Sequence, residues 1–427
     1  MMYQTALPAQ LKLQPLPPKP KVKLVIDKTA DSKQQISKGT KTFKLASIAL
    51  FLLGFASFSL IYGVQPLFPN FSQDFSVNSA ESSLMLSLTT GFLSFSILMT
   101  SAFAVGISRK QLMFWSMLIA AILNAAIAKI YNWEFMLVVR AAMGVVLGGV
   151  PAVAMAWLSE EIESKDLPKA MGIYVAGTAF GAMLGRVGMG LLTEYVSWRA
   201  AMAAMGGLCV IAALGFLYLL PNAKNTPILK KKGFAYHAKA WLSHLKVRAL
   251  QCSYIMGFLF TSVFVTLFNY ATFRLAQAPY NLSPTQISLI FLTFALGMVS
   301  SSISGYLIQR FQRTTIMAMG YGLLFVGGLV TLHESLYAII AGVSLCTMGF
   351  FTGHSATSSF VGKTAKEHKG HATALYLLFY YLGSSVMGTI GGWVWDFSGW
   401  GGVVLMTSGV CIAGLAVVSF LKVKKLA

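Results

Sequence analysis

Apolar residues in this chain come in long unbroken runs, without the alternating or three-to-four spacing of a soluble fold. Twelve runs stand out, at about 44–67, 82–106, 111–130, 134–157, 168–193 and 198–220, then 250–274, 284–307, 314–333, 336–359, 371–395 and 400–421. A helix needs about 20 apolar residues to cross a ~30 Å hydrocarbon core, so each run predicts one membrane span. The polar breaks between them are short and leave no room for a separate soluble domain. The pattern also repeats. The break from Ser101 to Lys110 is answered by the break from Gly305 to Arg313, and Glu194 and Trp198 are answered by Asp396 and Trp400. The longest break, Pro221 to Leu250, holds seven Lys and Arg and no Asp or Glu. The expected fold class is an all-α membrane protein, twelve transmembrane helices in two pseudo-symmetric six-helix bundles. Its expected parts are a disordered tail (1–43), a first bundle (44–221), a basic linker (222–249), a second bundle (250–422) and a short tail (423–427).

A net charge of +20 would suit a nucleic-acid partner, but its distribution points elsewhere. With both termini cytoplasmic, 28 of the 33 Lys and Arg fall in cytoplasmic segments. That asymmetry is the positive-inside pattern, and it matches the basic surplus to anionic lipid headgroups. The expected partners are therefore a lipid bilayer and no nucleic acid. The four cysteines all lie inside apolar runs at spacings that suit no metal, and neither metal nor cofactor is expected. Residues 1–43 lack the apolar core of a cleavable signal. A bacterial inner (plasma) membrane is the expected location.

Candidate chemistry lies in the few polar residues inside the spans. Tyr62 and Gln65 share a face at the end of the first span. Arg140 and Arg186 each sit about seven residues inside a span, where a guanidinium costs at least ~2.5–3.5 kcal/mol unless it meets the bundle interior or water. Backbone carbonyls freed by nearby Gly and Pro are the alternative partners for both. No Asp or Glu lies within a span to neutralise them, so the pathway is expected to be positive and its substrate to carry an acidic or carbonyl group. His354 can exchange a proton near neutral pH and, with Arg140, is a candidate for proton coupling. Thr266, Asn269 and Tyr270 recur at helical spacing, and Tyr380 and Tyr381 could stack on a substrate. Gly177, Gly181, Gly185 and Gly188 form a stripe on which another helix could pack. An enzyme would need an activated nucleophile, and the adjacent His354 and Ser355 point about a hundred degrees apart on a helix.

These residues resemble the major facilitator superfamily. Its loop signature after the second helix, Gly-x-Leu-x-Asp-Arg-x-Gly-Arg-Lys, survives as Phe103, Arg109 and Lys110, with Ser101, Val105 and Ser108 at the other positions. The second copy matches at Gly305, Leu307, Arg310 and Arg313, with Gln309 for the Asp that helps latch the two halves in that family. Arg140 and Gly144 fit the signature of the fourth helix, and the glycine stripe fits that of antiporters, with Ala182 for its Pro. Leu184–Arg186, Gly349–Ser355 and Leu375–Ser385 resemble the bacterial drug:proton antiporter and arabinose-efflux-permease-like branch. The resemblance implies proton-coupled export of a small organic molecule by a monomer, the first, fourth, seventh and tenth helices lining the path. Arg109, Lys110, Arg310 and Arg313 would belong to gating loops. Proton-coupled uptake is the alternative, and a non-transporting sensor a remoter one.

Overall fold

The computed structural model describes residues 35–104, 107–223, 225, 232–424 and 426. Eleven helices among them are long and apolar enough to cross a membrane. The last, Lys369–Val423, has 55 residues and would be about 80 Å long if straight, far more than one crossing needs. It breaks at Gly399, whose φ of 60° and ψ of −156° suit glycine, and so contributes two spans. The total is twelve. Large apolar side chains such as Phe95, Trp115, Ile211, Val299 and Leu405 stay exposed on its outer surface, as lipid contact requires.

In chain order the helices are α1 (Lys41–Tyr62), α2 (Phe68–Phe75), α3 (Ser79–Phe103), α4 (Arg109–Ile127), α5 (Trp133–Leu147), α6 (Gly149–Glu161), α7 (Leu167–Tyr195) and α8 (Trp198–Leu219). After the linker come α9 (Phe234–Leu245), α10 (Arg248–Ala276), α11 (Pro284–Ser288), α12 (Phe294–Arg310), α13 (Arg313–Val330), α14 (Leu336–Thr364) and α15 (Lys369–Val423). Side-chain caps start several of them. Asn78 and Glu81 form a reciprocal capping box on α3, and Ser283 and Gln286 form another on α11. Pro66 and Pro69 do not end the first span. Each occupies a first-turn position that needs no N–H, so the chain continues through a short 3₁₀ turn into α2. The fourth span is likewise divided, into α5 and α6 at Gly148, three residues before Pro151.

The glycine stripe of α7 packs on α1. A methyl group at Gly177 or Gly181 would run into the carbonyl oxygens of Phe51 or Phe55, and one at Gly185 would sit 2.8 Å from Ser59 Oγ. Gly188 does not belong to this contact. It lies three residues on, round the helix, where only Met205 comes within 4.0 Å.

On the face that carries the basic loops, the expected tail and linker both hold structure. Thr40 caps α1, so the span begins before residue 44. Ile36 pairs with Ile162 in a parallel bridge, and the Lys38 N–H donates to Asp166 at 2.7 Å. Residues 35–43 therefore depart from the expectation of disorder, while residues 1–34 of that tail lie outside the described residues. In the linker, α9 buries His237, Ala240, Trp241 and His244 at i, i+3, i+4 and i+7. His237 Nδ1 lies 2.9 Å from His371 Nε2 of α15, and Phe234 stacks on Phe103 of α3. The linker helix thus touches both halves.

Candidate functional site

A cavity of about 1270 Å³ runs between the two halves. One end is at Tyr62, Gln65 and Arg186, and the other reaches the basic face at Ile107, Arg109, Lys369 and Gly370. α1, α6, α10 and α14 contribute to its wall, as the resemblance implies for spans one, four, seven and ten, and α3, α7, α12 and α15 contribute too. No Asp or Glu lines it among the described residues.

Beyond the Arg186 end the halves meet. Gln65 Nε2 donates to Asn269 Oδ1 at 2.6 Å, and Ser385 Oγ donates to the Ser87 carbonyl at 2.7 Å. The Thr285 N–H donates to Glu194 at 3.0 Å, and Gly190 and Gly392 admit Ser288 and Ala80 at distances a side chain would prevent. This seam closes the side away from the basic loops.

Arg186 is the cation at the closed end. Its Nε donates to Gln65 Oε1 at 2.7 Å, and Nη1 donates to the Ala182 carbonyl one turn earlier. The rings of Tyr62, Phe291 and Phe294 lie 4.6, 4.9 and 5.0 Å from its central carbon. Nη2 makes no hydrogen bond among the described residues. The side chains of Tyr62, Tyr380 and Tyr381 lie in the same wall, and no hydrogen bond of their hydroxyls is found among the described residues. Across the cavity His354 stacks on Phe350 with centroids 5.5 Å apart, and its Nδ1 lies 2.9 Å from the Tyr376 hydroxyl. Tyr62, Gln65, Arg186, His354, Tyr380 and Tyr381 thus share the wall of one cavity.

Arg140 does not join them. It is fully buried outside the cavity wall, its Nε donating to the Met85 carbonyl at 2.6 Å and its Nη atoms to the Leu60 and Ile61 carbonyls at 2.9 and 2.8 Å. Leu60 and Ile61 close α1, where last-turn carbonyls lack helical donors, so the guanidinium satisfies them and ties α5 to α1 and α3. With these donors engaged, neither a substrate contact nor a proton-coupling role suits Arg140. Thr266 and Tyr270 also turn away from the cavity. Their hydroxyls donate to the Met387 and Gly388 carbonyls of α15 and bind the second half internally. Asn269 belongs to the seam through Gln65. Ser355 bonds to Ser301 at 2.6 Å and not to its neighbour His354, so no nucleophile is activated.

The loop cations divide as well. Arg109 grips Glu160 with two hydrogen bonds, Nε at 2.7 Å and Nη2 at 2.5 Å, so a carboxylate from α6 stands opposite the signature arginine. Val105, which replaces the family's Asp, lies outside the described residues. Arg310 lies 4.6 Å from the Tyr306 ring, Arg313 has a buried Nη1 without a partner, and Lys110 makes no salt bridge among the described residues. Sequence reasoning missed Phe264, Phe294 and Phe350 in the wall, because aromatic residues in an apolar span read alike whether they meet lipid or cavity.

The model of the Major Facilitator Superfamily matches residues 50–353 and 274–426. The chain is 40% identical over 381 residues to the MFS-type transporter YybF of Bacillus subtilis, covering 89% of this chain and 94% of that one. It is 38% identical over 391 residues to the inner membrane transport protein YnfM of Escherichia coli, covering 91% and 92%. Among solved structures, the nucleoside transporter NupG aligns with a TM-score of 0.74 at 12% identity over 89% of this chain and 99% of that one. An inward-facing bacterial homologue of the lysosomal transporter Spinster aligns with a TM-score of 0.66 at 13% identity over 90% and 96%. Twelve spans, a cavity between two halves and these matches lead to one conclusion: the chain is an integral multi-pass membrane protein of the major facilitator superfamily, a secondary transporter and not an enzyme.

Proposed function

We propose that this protein exports a small acidic or carbonyl-bearing organic molecule in exchange for protons, by alternating access. The observation that carries the reading is the closed end of the cavity, where Arg186 holds an uncommitted Nη2 among rings with no carboxylate to neutralise it. An anion or carbonyl entering from the basic face would complete that hydrogen bonding in a low-dielectric pocket. His354, in the same wall, is the group suited to carry the coupled proton.

Opening the seam at Gln65–Asn269, Ser87–Ser385 and Glu194–Thr285 while closing the basic face would present the same site to the other side. Export is supported by the antiporter-like glycine stripe and by the 22% identical E. coli relative named as a purine ribonucleoside efflux pump. A cytoplasmic position for that face and both termini is supported by the positive-inside pattern of the basic loops, which include Arg109, Lys110, Arg310 and Arg313. A bacterial inner membrane is the setting we favour. The path lies within one chain, which supports a monomer as the working unit.

The test uses inverted vesicles with an acidic lumen and a luminal pH dye. Antiport predicts that adding a transported acid makes the lumen more alkaline, whereas symport predicts further acidification. Arg186→Ala should abolish the signal through lost binding, and His354→Ala should abolish proton movement while leaving binding measurable. Coupling that survives His354→Ala would sink the proton role of that histidine.

A further inference from the structure

Resting on the acidic-substrate reading above, we infer that the substrate class is an aromatic monocarboxylate: one negative charge on a flat unsaturated body. Charge comes first. Of the cations in the cavity wall, Arg109 is already paired with Glu160 and Lys369 lies at the rim, which leaves Arg186 as the buried positive charge facing the interior. One guanidinium matches one carboxylate. A second carboxylate would lie among apolar rings with no partner, at a steep desolvation cost.

The polar inventory gives the second restriction. The uncommitted groups at the closed end are Arg186 Nη2 and the Tyr62, Tyr380 and Tyr381 hydroxyls, while both ends of the Gln65 amide are already used. A guanidinium only donates, and a phenol donates readily to an oxyanion. A sugar, with many hydroxyl donors of its own, is best held by carboxylates and free amides that accept them, and this wall has no carboxylate and one amide, Gln65, already engaged. This separates the chain from what the arabinose-efflux-like resemblance would suggest.

The third restriction is shape. Phe264 and Phe350 stack with centroids 4.0 Å apart and planes 12° from parallel, and His354 lies near-parallel to Phe350 with centroids 5.5 Å apart. Tyr380 lies 4.8 Å from the His354 ring. The substrate therefore meets flat π surfaces and ring edges, to which an unsaturated ring adds stacking that a puckered aliphatic ring cannot. Phe291 and Phe294 meanwhile cover Arg186, so the edge atom Nη2 is left for the carboxylate.

The experiment measures binding to the purified full-length protein in lipid nanodiscs, with 2-naphthoate as the main probe. Benzoate and cyclohexanecarboxylate form a matched ring pair. Naphthalene-2-methanol, naphthalene-2,6-dicarboxylate, 2-naphthylmethylammonium and arabinose vary the charge and polarity. We expect 2-naphthoate to bind at least about tenfold more tightly than the alcohol, dicarboxylate, ammonium or sugar. Benzoate should exceed cyclohexanecarboxylate by about three- to tenfold. Arg186→Gln, checked by its melting profile, should erase the preference for acid over alcohol while keeping the preference for naphthalene over arabinose.

If acids bind but the two ring partners bind equally, the aromatic inference falls and the acidic reading stands. Tighter binding of the ammonium or of arabinose overturns both. Absence of saturable 2-naphthoate binding up to millimolar concentration overturns the inference, and retention of acid preference in Arg186→Gln overturns its charge assignment.

Discussion

Gln65 accepts a hydrogen bond from Arg186 Nε at 2.7 Å while its amide nitrogen donates to Asn269 of the other half at 2.6 Å. One side chain therefore touches both the cavity cation and the partner bundle. Removing the bridge without touching Arg186 should loosen the seam and spare the site. For Asn269→Ala we expect the equilibrium to shift toward the state open on the far side by about two- to tenfold, the weight of one ordinary hydrogen bond. Thiol labelling of a cysteine placed at Ala80, beneath Gly392, reads that opening. Unchanged labelling would show that the seam rests on its other contacts.

The two buried arginines should fail in different ways. Arg140→Ala strips donors from three buried carbonyls, and each group left unsatisfied costs about 1–3 kcal/mol. The expected outcome is low yield and a lower Tm, with little rescue by Arg140→Lys, because one ammonium cannot span three directions. Arg186→Ala should express and melt much closer to the parent while losing acid-dependent transport. Size-exclusion profiles and melting curves of the pair distinguish the roles.

Along the glycine stripe, the neighbours predict a sharp contrast. Gly181→Ala would drive a methyl group into the Phe55 backbone, which side-chain motion cannot relieve, and should cost about 1–3 kcal/mol or more. Gly188→Ala meets only Met205 at 4.0 Å and should leave expression and Tm unchanged. Comparable losses at both positions would refute the assignment of this ridge to the α1–α7 contact.

Docking of the linker helix should depend on pH. His244 is buried in α9 with Nε2 3.3 Å from the His368 carbonyl. Burial above all pulls its pKa below the ordinary value, against the opposing hydrogen bond to His368, and the positive form of His368 adds to the lowering. His368 and His371 at the start of α15 interact with it, and they in turn meet Tyr236 and His237 of α9, with the uncharged Phe103 of α3 against His237. His237 and His371, 2.9 Å apart, cannot both be protonated and keep their hydrogen bond. The released helix binds more protons than the docked one, so docking is complete above about pH 6.5 and weakens as pH falls through it. Hydrogen-exchange protection of residues 234–245, taken relative to the intrinsic rate at each pH, should be higher at about pH 8 than at about pH 5. Equal protection at both would mean that these histidines do not hold α9.

Much of the architecture was legible because lipid demands it. Runs long enough to span, basic loops on one side and an internal repeat point to twelve helices before any contact is known. Arg186 and His354 were legible as residues facing the bundle interior because a polar group deep in an apolar run needs an aqueous or polar neighbour. The same reasoning misplaced Arg140, since freed carbonyls at the end of α1 satisfy a guanidinium as well as water does. Periodicity put Thr266, Asn269 and Tyr270 on related faces but could not say whether α15, the first half or the cavity lay opposite. The helix α9 was hidden by its basic flanks, although His237, Ala240, Trp241 and His244 carry a helical stripe.

The seal on the far side of the cavity has a last consequence. Its bonds join amides, hydroxyls and backbone groups, and its one carboxylate, Glu194, faces a peptide N–H and not a cation. Mobile ions weaken attraction between opposite full charges over a Debye length of ~8 Å, and no such attraction spans this seal among the described residues. Opening of this seal should thus run at a similar rate in dilute and concentrated salt. A marine or brackish habitat would require no redesign of this gate.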